Sequence, residues 1–315
     1  MIFVDKLIKK ERFFQRFVGL NFKKFEILEK SMEKSYKKHL HETSNKKNRK
    51  RSPGGGRKSK AIGIREKLII TLLYYKLYVT QQVLELIFDI DQSNISRIIS
   101  LMSQIIEESA DPMLKNYLEE AKKAAPSGKR YISNMDDFLR QFPEFEEIAI
   151  DATESSVNRP KEKADNKKYY SGKKKKHTMK TQITVSSSGK ILDVSDSYSG
   201  NTHDKSILDT EKTTDKITRY SRCFMDKGYY GADNKHKDKN ILIPFKKPKG
   251  GELTIFQKER NLYHGKKRVI VEHVFGKLKN NKIISDRFRG PKDKFNRVFR
   301  NIAALWNFQL QICAT

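Results

Sequence analysis

The chain has 315 residues, enough for one sizeable core and a smaller module beside it. Its formal charge is +28, from 66 Lys and Arg against 38 Asp and Glu, far beyond what solubility requires, and it points to a polyanionic partner. The only two cysteines, Cys223 and Cys313, have no Cys/His cluster near them, which argues against a disulfide framework or a structural zinc site; no apolar run reaches the ~18 residues of a membrane span.

Membrane binding would gather the cations on one amphipathic helix. Here they are spread through loops and helices along the whole length, which fits a long contact with double-stranded DNA. Met1 to Lys10 is too short and too charged for a secretory signal, so the expected location is the cytoplasm, in association with the nucleoid.

In chain order, residues 1–60 read as a basic helical arm and a linker. Phe13, Phe14, Phe17, Val18 and Leu20 give partial helical periodicity, and SNKKNRKRSPGGGRKSK, from Ser44 to Lys60, has almost no apolar residue. That run reads either as a solvated tether or as an arm that orders on DNA. Residues 61–110 carry three helical patterns: Leu68, Ile69, Leu72 and Leu73; then Val83, Leu84, Ile87 and Phe88 after Thr80; then Ile95, Ile98, Ile99, Met102 and Ile105 after the turn Asp89 to Asp91. Helix, short turn and helix make a helix-turn-helix pattern. Gln92, Ser93, Asn94, Ser96 and Arg97 lie on the open face of the third helix, and Gln92, Asn94 and Arg97 carry the groups that read base edges. A plain three-helix bundle with a polar face is the alternative. Residues 111–141, with Pro112, Pro126 and Gly128, read as a connector.

From 142 to 315 the pattern becomes α/β. Strands are predicted at Glu146–Ile150, Thr181–Val185, Ile191–Ser195, Arg222–Met225 and Asn240–Pro244, and helices at Lys267–Lys279 and Lys294–Gln311. Asp151 follows the strand end Ile148-Ala149-Ile150, and Asp226 follows Cys223-Phe224-Met225. Carboxylates just past neighbouring strand ends sit at the sheet rim, where α/β folds bind ligands, and offer hard oxygens to Mg²⁺. Glu272 flanks the apolar stripe Val271, Val274, Phe275 and Leu278, in line with Arg268, Gly276 and Lys279. This row reads as Glu272 on metal with Arg268 and Lys279 on phosphates, or else as intrahelical ion pairing of Arg268 with Glu272. Tyr169, Tyr170 and Lys173, Lys174, Lys175 and Lys176 read as a DNA-gripping loop or as a solvated hairpin tip.

At these residues the sequence resembles the IS-five family of insertion-sequence transposases, within the DDE superfamily that includes the Harbinger elements. The motifs are GRKSKAIGIREKLIITLLYYKLY in the first module, IDATESSVNRP around Asp151, YYSGKKKKHTMKTQ from Tyr169, MDKGYYG around Asp226, IPFKKPKGGELT from Ile243 and RVIVEHVFGKLK around Glu272. The resemblance implies a ribonuclease H-like catalytic core with a mixed sheet, Asp151, Asp226 and Glu272 as its acidic triad, and a helix-turn-helix that recognises element ends. It further implies Mg²⁺, with Mn²⁺ as a substitute, terminal inverted repeats and target DNA as partners, and a homo-oligomer on DNA. Arg268 and Lys279 match the R-x3-E-x6-K part of a related signature, but Gly265 stands where a tyrosine often precedes the arginine, with Tyr263 two positions earlier. His203-Asp204 matches a recurrent pair and stays outside the triad, since Asp204 is also placed to cap a helix. A non-catalytic DNA-binding descendant and a structure-selective nuclease of the same fold are the alternatives.

Overall fold

The computed structural model describes residues 2–44, 62–124 and 139–311. Most of the expected linker and the residue Cys313 lie outside them. The chain divides into two compact units, one of residues 1–112, 281–283 and 308–315, the other of 113–280 and 284–307.

The first unit is helical: α1 (Ile2–Ile8), α2 (Glu11–Val18), α3 (Phe22–Ser44), α4 (Ile64–Leu77), α5 (Gln81–Phe88) and, as far as Pro112, α6 (Gln92–Ala124). The opening segment does not stand off as an arm. Phe14 and Phe25 are fully buried, with Val18, Leu20, Leu28 and Met32 around them, and each such side chain contributes roughly 1.5–3 kcal/mol of burial. Arg65 at the start of α4 clamps the half-covered side of α3 through a two-pronged pair with Glu29, its Nη2 2.7 Å from Oε2. Tyr75 donates to Ser103 Oγ at 2.7 Å, tying α4 to α6 inside the core.

The helix-turn-helix forms for local reasons. The Thr80 hydroxyl accepts from the Val83 amide to start α5, Asp89 ends it in the left-handed region at φ 51°, and Asp91 accepts from the Ser93 amide to start α6. Leu84, Phe88, Ile95, Ile99 and Met102 face inward, whereas Val83 and Leu86 are exposed. The connector expected from 111 is helical as far as Ala124, through Pro112; residues 125–138 lie outside the described set.

The second unit is built on a mixed sheet. It contains β1 (Glu147–Ser156), the short α7 (Lys163–Tyr169), β2 (Tyr170–Ser171), β3 (Lys176–Ser186), β4 (Ile191–Ser199), α8 (Asp204–Thr210), β5 (Arg222–Met225), α9 (Ala232–Lys235), β6 (Asn240–Leu242), α10 (Ile255–Leu278), α11 (Lys282–Ser285) and α12 (Asp293–Gln311), the last two each sharing residues with the first unit. Strand β1 is central. It pairs antiparallel with β3, which pairs antiparallel with β4, while on its other side β5 and then β6 run parallel to it. Ile148, Ile150, Cys223, Met225 and Tyr229 form the middle of the core under α8. No helix among the described residues is long and apolar enough to cross a membrane.

Candidate active site

The parallel pairing of β1 with β5 ends at Ile150 opposite Met225. Asp151 and Asp226 are the next residue on each strand and therefore stand side by side at the rim. The expected reason needs one correction: Asp151 does not follow the end of β1. The strand continues to Ser156, its second half held by β3, with Asp151 opposite Ile183, and its end also by Phe288, whose amide donates to the Ser156 carbonyl at 2.8 Å. What ends at Asp151 is the shelter of β5, so the carboxylate emerges from the middle of a strand whose neighbour has stopped.

Helix α10 brings the third acid. It begins at Ile255, twelve residues before the expected start, where Thr254 and Gln257 form a reciprocal capping box. His264 anchors it: the ring is 7% exposed, meets the Leu242 carbonyl at 3.0 Å and packs edge-on against Phe224. One turn on, Arg268 reaches Asp151, and one turn further stands Glu272. The Arg268 guanidinium bridges both acids, with Nη1 2.9 Å from Asp151 Oδ2 and Nη2 on Glu272 Oε1. The alternative ion pair of Arg268 with Glu272 is thus present, and the same arginine also draws Glu272 towards Asp151. Among the described residues no three His, Cys, Asp or Glu side chains converge closely enough to share an ion. The guanidinium stands between Asp151 and Glu272, whose side chain remains 52% exposed.

Asp151 is the acid of this group whose protonation the fold disturbs. Burial pushes its carboxyl up to about 6, the charges of Asp226 and Asp204 push the same way, and the Ala152 amide and Arg268 oppose them. The site is therefore short of positive charge. Its oxygen donors suit a hard divalent cation, which would relieve the repulsion that Arg268 only partly offsets.

Asp204 belongs to this neighbourhood, although sequence placed it outside the triad. It opens α8 without capping it. Its Oδ1 lies 2.9 Å from Lys180 Nζ, a charge contact without hydrogen-bond alignment, and its Oδ2 packs so closely on Gly228 that a Cβ there would come within 2.6 Å. Sequence reasoning also missed His264 and the buried chain below the acids, in which Tyr229 donates to Gln182 Oε1 and Gln182 to Thr213. Tyr263 does not serve the acids: its hydroxyl faces Glu147 at the other end of β1.

The basic residues divide into two groups. Lys173, Lys174, Lys175 and Lys176 form the exposed tip between β2 and β3, with Lys175 at φ 50°. Lys279, at the end of α10, is held below the usual lysine range by burial and then by the charge of Lys174, with Glu154 opposing both. In the first unit, Gln92, Asn94 and Arg97 are all exposed, with Arg97 donating to Asn94 Oδ1 at 2.9 Å.

Residues 150–307 match the family model of the DDE superfamily endonucleases. The chain belongs to that family. Residues 60–112 match the helix-turn-helix of DDE superfamily endonucleases, the span that holds α4 to α6 up to Pro112. A curated relative, described as a probable transposase for insertion sequence element IS702 of Microchaete diplosiphon, is 29% identical over 267 residues, covering 84% of this chain and 87% of its own length. No solved structure matches. As a DDE endonuclease with its helix-turn-helix, the chain is a DNA-binding enzyme of the insertion-sequence transposase type.

Proposed function

We propose that this endonuclease is the transposase of an insertion sequence, that it binds the element ends, and that it cuts and rejoins DNA at Asp151, Asp226 and Glu272. The observation that carries the reading is the juxtaposition of Asp151 and Asp226 at the end of the β1–β5 pairing, with Arg268 linking Asp151 to Glu272. Asp151 and Asp226 would hold Mg²⁺, or Mn²⁺ in its place, and Glu272 would join them when Arg268 turns to a phosphate. When bound, the divalent ion supplies Lewis-acid chemistry: it eases deprotonation of the attacking hydroxyl and offsets charge on the leaving oxygen.

The chain's own residues do the rest. Gln92, Asn94 and Arg97 read the terminal repeat in a major groove. Lys173 to Lys176 and Lys279 hold the backbone beside the acids, and Arg268, freed from Glu272, grips a non-bridging phosphate oxygen. Water attacks phosphorus and the P–O3′ bond breaks, leaving a 3′-hydroxyl on one side of the nick and a 5′-phosphate on the other side of the same strand. In the second step that 3′-hydroxyl attacks a target phosphodiester and displaces its 3′-oxygen, so one bond forms for each one broken. Two transfers on two ends call for a homo-oligomer on DNA.

The test is cleavage of a labelled terminal-repeat duplex in Mg²⁺, with binding measured in Ca²⁺. Asp151→Asn, Asp226→Asn and Glu272→Gln should each abolish cleavage and spare binding, and their losses should not add, because the three act as a unit. Full cleavage by Glu272→Gln would reduce that residue to an ion-pair partner of Arg268 worth roughly 0.5 kcal/mol or less. Cleavage without joining of the released 3′ end would favour a nuclease.

A further inference from the structure

Helix α10 presents an apolar row to solvent. Ile255, Leu262 and Val269 recur every seventh residue on the side away from the buried row Val271, Val274, Phe275 and Leu278, and they are 77%, 63% and 39% exposed. Phe256 is 63% exposed beside Ile255, with Arg260 stacked on its ring. Large apolar groups displayed in water are costly unless something covers them.

The loop ahead of this row is held in shape. The Phe245 amide donates to Asn261 Oδ1 at 2.7 Å and Asn261 Nδ2 returns a bond to the Phe245 carbonyl at 3.1 Å, closing the loop at its base. The capping box of Thr254 and Gln257 fixes its far end, and Gly250 at φ 78° makes the turn between. Lys246, Lys247 and Lys249 are displayed from it, all exposed. Between residues 245 and 269 there are eight Lys or Arg against two acids, Glu252 and Glu259. A second copy of the same face would meet this charge with its own, whereas a phosphate backbone complements it.

We infer that Ile255, Phe256 and Leu262, with the pinned loop Lys246–Lys249, form a wedge that enters the duplex and unstacks a base step beside the cut. The inference rests on the DNA-cutting reading of the site. Apolar side chains flanked by cations are the means by which proteins pry open base steps while gripping the phosphates on either side. Position follows from helix geometry. Leu262 and Ile255 precede Glu272 by ten and seventeen residues, roughly 15 and 25 Å along α10. At about 3.4 Å per step, a duplex following the helix would be opened about four to seven base pairs from the cleaved bond.

The experiment places 2-aminopurine at successive positions of the terminal-repeat duplex and reads its fluorescence with the full chain bound in Ca²⁺, which permits binding without cutting. The expected result is a rise at one or two adjacent positions about four to seven base pairs from the outer end of the repeat. Changing Ile255 and Phe256 together to Ser, or Leu262→Ser, should remove the rise and weaken binding roughly tenfold. Replacing the three loop lysines by Ala should lower the slope of log affinity against log salt by about 2 to 3. All these side chains are exposed, so the variants should fold. No rise at any position with the wild-type chain bound would overturn the wedge. So would serine variants that bind and unstack DNA normally but sediment as smaller species, since the row would then join copies of the chain. Cleavage in Mg²⁺ is measured in parallel: a fluorescence rise without cleavage keeps the wedge and removes the catalytic assignment.

Discussion

Asp151 should destabilise the protein that contains it whenever no cation is bound. Its ordinary value of 3.8 is raised to about 6 in the fold, so the folded chain holds this proton more tightly than the unfolded chain. The fold is therefore most favoured below about pH 4, where Asp151 is protonated in both states. It loses stability as pH rises towards 6, and the loss is complete above that. The rise from 3.8 to about 6 corresponds to about 3 kcal/mol. Asp151→Asn keeps the shape and deletes the charge. In EDTA at pH 7.5 it should raise stability by roughly 2–3 kcal/mol, with the gain shrinking to near zero by pH 4. The measurement is urea denaturation of both proteins across that range, repeated with Mg²⁺, which should restore the wild type by mass action and leave the variant unmoved. A variant less stable than wild type at pH 7.5, or a difference that ignores pH, would refute the electrostatic account of the site.

Arg268→Gln works in the opposite direction. Without the guanidinium the buried Asp151 loses its partner, so the metal-free protein should lose roughly 1–3 kcal/mol at pH 7.5, and less as Asp151 becomes protonated in acid; thermal denaturation in EDTA against pH checks both. In the first unit, Asn94→Ala or Arg97→Ala should weaken terminal-repeat binding by roughly 1–3 kcal/mol while random-duplex affinity stays nearly constant. Equal losses in competition binding on both duplexes would mean that α6 does not read bases.

Local sequence displayed much of this site, because an acid placed directly after a buried apolar triplet is a short-range signal. Asp151 and Asp226 both carry it, and the stripe from Val271 to Leu278 carries the core-facing side of α10. What remained hidden depends on distant partners. The continuation of β1 to Ser156 is held by β3, so nothing adjacent to Asp151 announces it. The first half of α10 escaped because Ile255 and Leu262 face water, leaving no inward periodicity to detect; its threonine and glutamine cap was the available signal. Phe14 and Val18, with Leu20 just past the end of α2, show only a broken pattern locally, and their role appears once α3 and α4 pack on α2. Asp204 reads as a helix cap in sequence because caps and charge partners use the same side chain; Lys180, on another strand, decides between them.

The mixed pairing of β1 also sets when the proposed site becomes complete. Its antiparallel partner β3 follows within a few tens of residues, but β5 and α10 come much later in the chain. In a polypeptide emerging from the ribosome, β1, β3 and β4 are made while Asp226 and Glu272 are still to come. The proposed site is thus completed last, from segments of high sequence separation, and a product ending before β5 lacks two of its three acids. On the proposed reading of the three acids, this order of synthesis confines cutting to chains in which all three have been made.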